Sequence, residues 1–384
     1  MSQRVLFLSR DGGSVQALVP VVHALSGGGA TLQPAVVSMA VSRPVLDANA
    51  IAHEPLDERG FAADPAGCIG DLLERYRPTL VVSGSSPARG PAPETPEQHA
   101  VIESRRKGIP TLGILDTWLL YRERLGSDPR AARADLDLVP DMLCVLDRIC
   151  FDQLLDFGIP ASRMRVTHNP WLDGVFRAAA APVLRSPALR NAGSNFLFVS
   201  QPLQEMQAVR HWPFTQHELF AALVEALPPV SMTEPHRILV WVHPSERDER
   251  WRGMMRPARR DVEAMVVGER GASILAHVDA VVSSHSTVAY EALHHATPCI
   301  SLRPGGENLE KLMSDEVGLS TPFHDMAEFR LFMGATSHVQ RRAELRRRRA
   351  ELLHEKIFFT DGQATARVVS EVQSMGAQAV LRRG

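Results

Sequence analysis

The chain has 384 residues, of which 45% are hydrophobic, with a formal net charge of −2 at pH 7. This length suffices for two domains, on a soft prior of roughly 150 residues each, and the charge provides no basic field to attract nucleic acid. The four cysteines lack metal-ligand spacing, and no apolar run is long enough to cross a membrane. We therefore expect a soluble cytoplasmic protein without a nucleic-acid partner.

The first half alternates predicted strands and helices, the pattern of a doubly wound α/β domain. A strand at 5–8 leads into Asp11, Gly12 and Gly13, and a helix follows at about 15–25. Two glycines do not form a G-x-G-x-x-G fingerprint, but they allow a ligand to approach the backbone closely. Asp11 is either a ligand-binding carboxylate at this strand end or a turn and helix-capping residue.

Two more predicted strands of the first half end in polar residues. The strand at 79–82 runs into the sequence SGSS, and the strand at 111–115 runs into Asp116. Because ligands bind at the carboxyl ends of strands in open α/β sheets, these ends predict a site together with Asp11. We take Asp116 or Asp11 as the catalytic base. Arg122 either holds an anionic substrate or belongs to a solvated charged face.

The second half repeats the α/β pattern after a stretch at 178–195 with no sustained period, which we interpret as a linker. A strand predicted at 238–242 ends in His243 and Pro244, where the proline would hold the imidazole at the sheet edge. The alternative is a partly buried His243 bonded to a loop carbonyl. Later in the chain, RPGGENLEKL offers three further candidate substrate-binding residues, Gly306, Glu307 and Asn308.

The stretch at 279–302 predicts a strand, a turn, a helix and a second strand. Its turn carries four hydroxyl residues, Ser283, Ser284, Ser286 and Thr287. Hydroxyls and backbone N–H groups at a helix N-terminus favour a phosphate. Glu291, one turn into the helix, could accept hydrogen bonds from sugar hydroxyls. The alternative is that Ser284 or Ser286 only caps the helix.

The sequence WVHPSE, followed further along by VVSSHSTVAYEAL, resembles the HP and paired-serine motifs of nucleotide-sugar glycosyltransferases. The similarity is greatest to branches with cytidine-linked donors, namely bacterial sialyl- and Kdo-type transferases and CDP-glycerol glycerophosphotransferases. The resemblance implies that His243, Pro244 and the hydroxyl residues contact the donor phosphate, and that Glu291 binds the ribose. The terminal FTDGQATARV also resembles the ending of the CDP-glycerol branch.

The fold implied by the resemblance is α/β, with two facing Rossmann-like domains of GT-B type and an interdomain cleft. We expect the acceptor-side domain at 1–177, the linker at 178–195, the donor domain at 196–365 and a C-terminal helix and tail at 366–384.

The function implied is metal-independent glycosyl transfer, or transfer of a polyol phosphate, from a nucleotide-activated donor to a hydroxyl of a glycan or lipid-linked acceptor. A CMP- or CDP-linked donor is favoured over a UDP-linked one, and no cofactor is required. His243 and the helix N-terminus would stabilise the leaving phosphate without a metal. The acidic motif that carries the sialyltransferase base has no clear counterpart, so Asp116 and Asp11 remain alternative bases.

Two other functions fit the same residues. One is a nucleotide-sugar 2-epimerase or hydrolase of the same fold, which would turn over without an acceptor. The other is a non-catalytic nucleotide-binding homologue.

The arginine block at 346–349 covers every face of a predicted helix near the end of the chain. A solvated helix is the first interpretation, and peripheral docking on the inner face of an anionic membrane is the alternative. The sequence does not indicate an oligomeric state.

Overall fold

The computed structural model describes residues 3–27, 32–88, 90–128, 130–180, 182–190, 193–205, 212–243, 246, 248–256, 259–307, 309, 312–335, 338–354 and 361–381. These residues fall into two compact units, the first drawn from 1–174 and 356–384 and the second from 175–355. The domain limits predicted at 177 and 365 remain predictions, because this division of the chain does not test them. Across the described parts of the chain, no helix is long and apolar enough to span a membrane.

The first unit is built on a parallel sheet with neighbouring strands in the order β3-β2-β1-β4-β5-β6-β7. Its strands are β1 (Gln3–Ser9), β2 (Leu32–Ser38), β3 (Glu54–Pro55), β4 (Leu80–Ser83), β5 (Thr111–Ile114), β6 (Met142–Val145) and β7 (Met164–Val166). Its helices are α1 (Gly12–Ser26), α2 (Arg43–Ala48), α3 (Glu58–Ala63), α4 (Pro65–Tyr76), α5 (Pro96–Arg106), α6 (Tyr121–Leu125) and α7 (Arg148–Asp156), with a 3-10 turn at Ala161–Arg163.

The second unit contains another parallel sheet, in the order β10-β9-β8-β11-β12-β13. Its strands are β8 (Asn195–Val199), β9 (His236–Trp241), β10 (Val262–Val266), β11 (Ala280–Ser283), β12 (Cys299–Leu302) and β13 (Ser320–Phe323). The remaining helices are α8 (Pro170–Ala180), at the division between the units, α9 (Gln216–Ala226), α10 (Asp248–Met254), α11 (Ala272–Leu275), α12 (Val288–His294), α13 (Met313–Glu316), α14 (Met326–Ala335), α15 (His338–His354) and α16 (Ala364–Leu381). Both sheets follow the doubly wound order, so the predicted α/β class with two Rossmann-like domains is confirmed.

Alternating residues of each central strand serve two cores. In β1, Val5 and Phe7 pack with α1 and α16, whereas Leu6 and Leu8 pack against α4 on the other face. These four residues are at most 4% exposed, because helices cover both faces of a parallel sheet. The second sheet follows the same rule, with Phe198 of β8 in the core that includes Trp251 and the neighbouring Leu197 in the opposite one.

The sequence does not predict how two of the segments pack. Trp251, in a charged part of the sequence, is fully buried on α10. The last helix, α16, packs on the first sheet, where Val368 and Val372 are fully buried beside Val5. Asp173 of α8 caps this helix, since its carboxylate accepts the backbone N–H of Ala364 at 3.1 Å.

The arginine-rich helix α15 packs along the second unit and hydrogen-bonds to three other helix ends. Arg349 Nη1 donates to the carbonyl of His294 at 2.6 Å, Arg348 Nε to that of Val317 at 3.0 Å, and Arg342 Nη1 to that of Ala276 at 3.4 Å. These carbonyls lie at or just beyond the ends of α12, α13 and α11, where the last C=O groups of a helix lack internal partners. Three of its arginines therefore contact the protein itself.

Candidate functional site

The carboxyl ends of β1, β4 and β5 meet around the turn that opens α1. The backbone N–H of Asp11 donates to Ser86 Oγ at 3.0 Å, and Ser14 Oγ donates to Asp116 Oδ1 at 3.0 Å. Ser85 Oγ donates to the same oxygen of Asp116 at 3.2 Å. The structure thus brings together the three strand ends that the sequence singled out.

Asp116 is held through one of its two carboxylate oxygens. Besides Ser14 and Ser85, Oδ1 accepts Arg124 Nη1 at 3.0 Å, and the side chains of this ion pair are 11% and 6% exposed. The other oxygen, Oδ2, lies against the start of α1, where a Cβ added to Gly13 would stand 3.1 Å from it. A side chain at residue 13 would therefore crowd Oδ2, and glycine lets the carboxylate approach the backbone.

Asp11 borders the same turn and is more exposed. It is the N-cap residue of α1, but its side chain makes no capping hydrogen bond. Its Oδ1 lies 3.3 Å from Arg10 Nε, and its side chain is 35% exposed. Two carboxylates, Asp11 and Asp116, consequently flank one glycine-containing turn.

A buried glutamate fastens that turn to the start of α5. Glu97 Oε1 accepts the backbone N–H of Arg10 at 2.8 Å, Ser86 Oγ at 2.5 Å and Ser9 Oγ at 3.2 Å. Glu97 is only 4% exposed. Because Ser86 also accepts the Asp11 N–H, Glu97 fixes both the first and the fourth strand ends.

The two arginines of α6, in the charged segment after Asp116, have different environments. Arg122, the candidate substrate contact, is exposed, whereas Arg124 is buried and pairs with Asp116. The sequence does not distinguish Arg124 from Arg122, because a five-residue helix gives no periodic signal of which side faces inward.

The turn after β7 reaches the same cluster. Asn169 Nδ2 donates to the backbone carbonyl of Asp116 at 3.2 Å, and its Oδ1 accepts the N–H of Trp171 at 3.0 Å. The preceding His168 has a φ of 65°, a strained conformation for a non-glycine residue. Burial lowers the pKa of His168, which favours its neutral imidazole.

In the second unit, His243 follows β9 and its turn is fixed by Glu246. The His243 N–H donates to Glu246 Oε1 at 3.2 Å. Glu246 Oε2 accepts Ser200 Oγ, from the end of β8, at 2.8 Å and Trp251 Nε1 at 2.9 Å. Glu246 therefore ties the ends of two neighbouring strands to α10. Pro244 lies outside the described residues.

The serine-rich turn after β11 divides its hydroxyls between local bonds. Ser286 Oγ accepts the backbone N–H of Val288 at 3.2 Å, so this serine makes the capping-type bond at the start of α12. Ser284 Oγ is hydrogen-bonded to His285 Nδ1 at 2.9 Å. The N-cap position belongs to Thr287, whose side chain makes no capping bond. Ser283 is the last residue of β11.

The ring of His285 is held from two directions. It stacks on Trp212 with centroids 4.8 Å apart and planes 5° apart, while Ser284 bonds its Nδ1. A cavity of about 10 Å³ opens beside it, lined among others by Ser283, Ser286, Ser301, Ser314 and Ser320. This volume suits a single water molecule.

Arg270 links the remaining donor-site candidates. Its Nη2 donates at 2.6 Å to the carbonyl of Val242, directly before His243. Partial desolvation lowers the pKa of Arg270, and the carboxylate of Glu291 offsets part of this effect. Glu291 on α12 and the end of β9 are thus near the same guanidinium.

The glycine turn after β12 contains the last candidates. Gly305 has a φ of 64°, which favours glycine, and the N–H of Gly306 donates to the carbonyl of Arg303 at 2.9 Å. Glu307 is exposed, and Asn308 lies outside the described residues.

Histidine, cysteine and carboxylate side chains in the described ranges form no group of three or more that could hold a metal. Burial, with help from Arg349 and His295, lowers the pKa of His294 to about 4. Its neutral ring packs edge-on against Phe176, with centroids 5.8 Å apart.

Glu97 and Glu246, like Arg124, were not among the predicted site residues. Glu97 is the second residue of α5 and reaches a turn 87 residues earlier in the chain. Glu246 stands in a charged segment whose composition indicates a surface. The only sequence signals for them are the position of Glu97 at a helix start and that of Glu246 shortly after a strand end.

The fold is similar to solved structures of nucleotide-sugar proteins. UDP-GlcNAc 2-epimerase from Neisseria meningitidis, bound to UDP-GlcNAc, has a TM-score of 0.61 at 13% identity, over 97% of this chain and 100% of that one. The Methanocaldococcus jannaschii UDP-GlcNAc 2-epimerase with UDP-GlcNAc and UDP has a TM-score of 0.63 at 14% identity, over 97% and 100%. Acinetobacter baumannii MurG has a TM-score of 0.57 at 13% identity, over 97% and 99%. No protein-family model and no curated protein matches the chain.

These similarities establish a GT-B-like fold and correct the principal functional prediction. The prediction of a glycosyltransferase is wrong, because UDP-GlcNAc 2-epimerases recur among the similar structures and favour the alternative prediction. The cytidine-linked donor also lacks support, since the ligands of the similar structures are UDP-linked.

Proposed function

We propose that the protein is a nucleotide-sugar 2-epimerase that acts on a UDP-linked 2-acetamido sugar. The observation that carries the proposal is the pair of carboxylates, Asp11 and Asp116, on either side of the turn that opens α1. The fold, which UDP-GlcNAc 2-epimerases share, supports it.

Inversion at C2 requires a proton to leave one face of the sugar and another to arrive on the opposite face. One group must act as a base and a second as an acid, as in other proton transfers at carbon. Because C1 carries no carbonyl to stabilise a carbanion, the electron pair from the C2–H bond forms a C1=C2 double bond as the nucleoside diphosphate leaves C1. When the nucleoside diphosphate adds back to C1, C2 is protonated on the opposite face. The overall reaction therefore changes only the configuration at C2.

Asp116 is the base in this proposal, and Asp11 is the acid. The donors on Asp116 Oδ1 leave Oδ2, beside Gly13, as the oxygen that takes the proton. Asp11 is more exposed, with 35% of its side chain accessible, so it can take up a proton from solvent before it delivers one to C2. The turn glycines, Gly12 and Gly13, allow the sugar to approach, and Arg122 is a candidate contact to its charged part.

The second unit would bind the nucleotide. His243 and the serine-rich turn after β11 would supply hydrogen-bond donors for the diphosphate, and Glu291 would supply an acceptor for the ribose hydroxyls. The proposed set is His243, Pro244, Ser283, Ser284, Ser286, Thr287 and Glu291, with Gly306, Glu307 and Asn308 as additional contacts. Since α12 has only seven residues, hydroxyl and imidazole donors matter more here than the helix dipole. No step requires a metal.

The test is proton NMR of UDP-GlcNAc incubated with the protein in D₂O, without any acceptor. We expect the C2 epimer to appear and deuterium to replace the proton at C2. Asp116→Asn should abolish exchange because an amide cannot take up the proton, whereas Asp137→Asn, at a side chain that is 87% exposed, should behave as wild type. A wild-type protein that leaves the C2 proton in place, or that only releases UDP and free sugar, would refute the proposal.

Nucleotide binding is tested separately by thermal unfolding with UDP and with CMP. A ligand at 100 times its dissociation constant stabilises a protein by about 2.7 kcal/mol. We expect this stabilisation with UDP and its loss in His243→Ala. Equal stabilisation of wild type and variant by UDP would show that His243 does not contribute to nucleotide binding.

A further inference from the structure

We infer that Arg124 is a positioning residue that orients Asp116 for proton transfer, an inference that rests on the proposed function. Arg124 is buried, yet none of its contacts suggests a ligand. Its guanidinium bonds only to neighbouring protein groups among the described contacts, and one of these is the proposed base.

The guanidinium is fixed before it reaches Asp116. Nε donates to the carbonyl of Leu119 at 3.0 Å, and Nη1 donates to the backbone carbonyl and, at 3.1 Å, to Oγ of Ser85. Arginine presents its N–H groups in a rigid planar fork, so the bonds from Nε to Leu119 and from Nη1 to Ser85 fix the orientation of the Nη1 group that also donates to Asp116. The 3.0 Å bond to Asp116 Oδ1 therefore has a set direction.

The three donors around Oδ1 leave the carboxylate little freedom to rotate. Ser14 and Ser85 are 1% and 7% exposed, and both donate to the oxygen that Arg124 contacts. Rotation about the Cβ–Cγ bond would break these hydrogen bonds among buried side chains, where an unsatisfied polar group is costly. Oδ2 is thereby held against the glycine turn.

The charge of Arg124 also matters for the reaction. A carboxylate that takes a proton from carbon carries a negative charge beforehand, and the Arg124 cation lies 3.0 Å from that of Asp116. Arg122 cannot substitute, because it is exposed on the same helix while Arg124 is the residue facing Asp116.

The experiment compares Arg124→Gln and Arg124→Lys with Arg148→Gln, a matched control at an arginine whose side chain is 69% exposed in the same unit. Because Arg124 acts through Asp116, Arg124→Gln should lower kcat for C2 exchange about 100-fold, the cost of a base misplaced by about 1 Å. KM and the dissociation constant for UDP should stay within about twofold of wild type, since no ligand contact is lost. Arg124→Lys keeps the charge without the fork and should recover only part of kcat.

Rescue separates positioning from a general loss of structure. Millimolar guanidinium chloride should restore part of the kcat of Arg124→Ala and nothing to Asp116→Asn. Wild-type kcat in Arg124→Gln, or UDP binding that falls in parallel with kcat, would overturn the inference.

A wild-type protein without C2 exchange would refute the proposed function alone. Crystal structures of wild type and Arg124→Gln then decide the positioning role. The inference holds if Asp116 Oδ1 leaves Ser14 only in the variant, and it fails if the carboxylate keeps the same orientation in both.

Discussion

At the scale of single residues, Asp116 and Glu97 of the first unit are each held through one carboxylate oxygen. Asp116 Oδ1 and Glu97 Oε1 each accept three hydrogen bonds. The second oxygen of Asp116 lies beside Gly13, and that of Glu97 is buried without a hydrogen-bond partner in the described part of the chain. One carboxylate can thus serve chemistry while the other supports the turn.

Glu97→Ala should destabilise the protein because it strands two serine hydroxyls and the Arg10 N–H in a buried region. Each stranded donor costs about 1–3 kcal/mol, and we expect a total of about 3 kcal/mol after relaxation. Urea unfolding of the purified protein measures the loss. Glu97→Gln keeps an acceptor oxygen and should lose less.

The comparison for this prediction is Glu74→Ala, at an exposed glutamate paired with Lys107, where we expect little change. Equal stability of Glu97→Ala and wild type would show that the turn does not depend on this carboxylate.

The sequence predicts which strand ends carry the site, but not how the ends are held. Asp11 and Asp116 follow apolar runs directly, and a parallel sheet brings such ends to one edge whatever the loops do. Glu97 contacts residues that lie far from it along the chain, and Arg124 lies on a very short helix. Their roles depend on side-chain directions that neither hydrophobic periodicity nor local spacing encodes.

At the scale of elements, α15 shows how a highly charged helix can serve packing. Its sequence suggests a solvated surface or a membrane contact, because the arginine block covers every face. In the structure, Arg342, Arg348 and Arg349 donate to backbone carbonyls at the ends of three short helices. Positive charge at a helix C-terminus offsets the partial negative charge of the last carbonyls.

Arg349→Ala should therefore destabilise the second unit by about 1–2 kcal/mol, through the loss of a charged hydrogen bond to the His294 carbonyl. The matched control is Arg346→Ala, on the exposed side of the same helix, which should change the stability by less than about 0.5 kcal/mol. Thermal and urea unfolding of both variants measures the difference. Similar effects of the two substitutions would indicate that α15 acts only through its overall charge.

At the scale of the whole molecule, the two units repeat one sheet order, and the chain returns to the first unit at its end. The alternation of strands and helices predicts both α/β units, since each buried parallel strand is a short apolar run. The return of α16 is not predicted, because its buried Val368 and Val372 fit any apolar surface. Asp173, which accepts the N–H groups of Ala364 and Thr365, shows where the helix docks.

Acid sensitivity of stability follows from histidines that both units bury in the neutral form. Burial lowers the pKa values of His99, His168, His217, His294 and His295, that of His294 to about 4. An unfolded histidine has a pKa of about 6.5. Between these values the unfolded chain binds a proton that the folded protein excludes, so the free energy of unfolding falls as the pH drops from 7 towards 4.

His294 alone should cost about 2 kcal/mol of stability between pH 7 and pH 5. Urea unfolding at half-unit steps from pH 8 to pH 5 measures the slope, and His294→Gln should flatten it because no proton is then taken up at that position. Burial raises the pKa values of Asp147 and Asp315, which act with the opposite sign as the pH falls further, so the range ends at pH 5. A slope that is unchanged in His294→Gln would mean that the folded and unfolded chains bind a proton at this ring equally, so that burial does not lower its pKa.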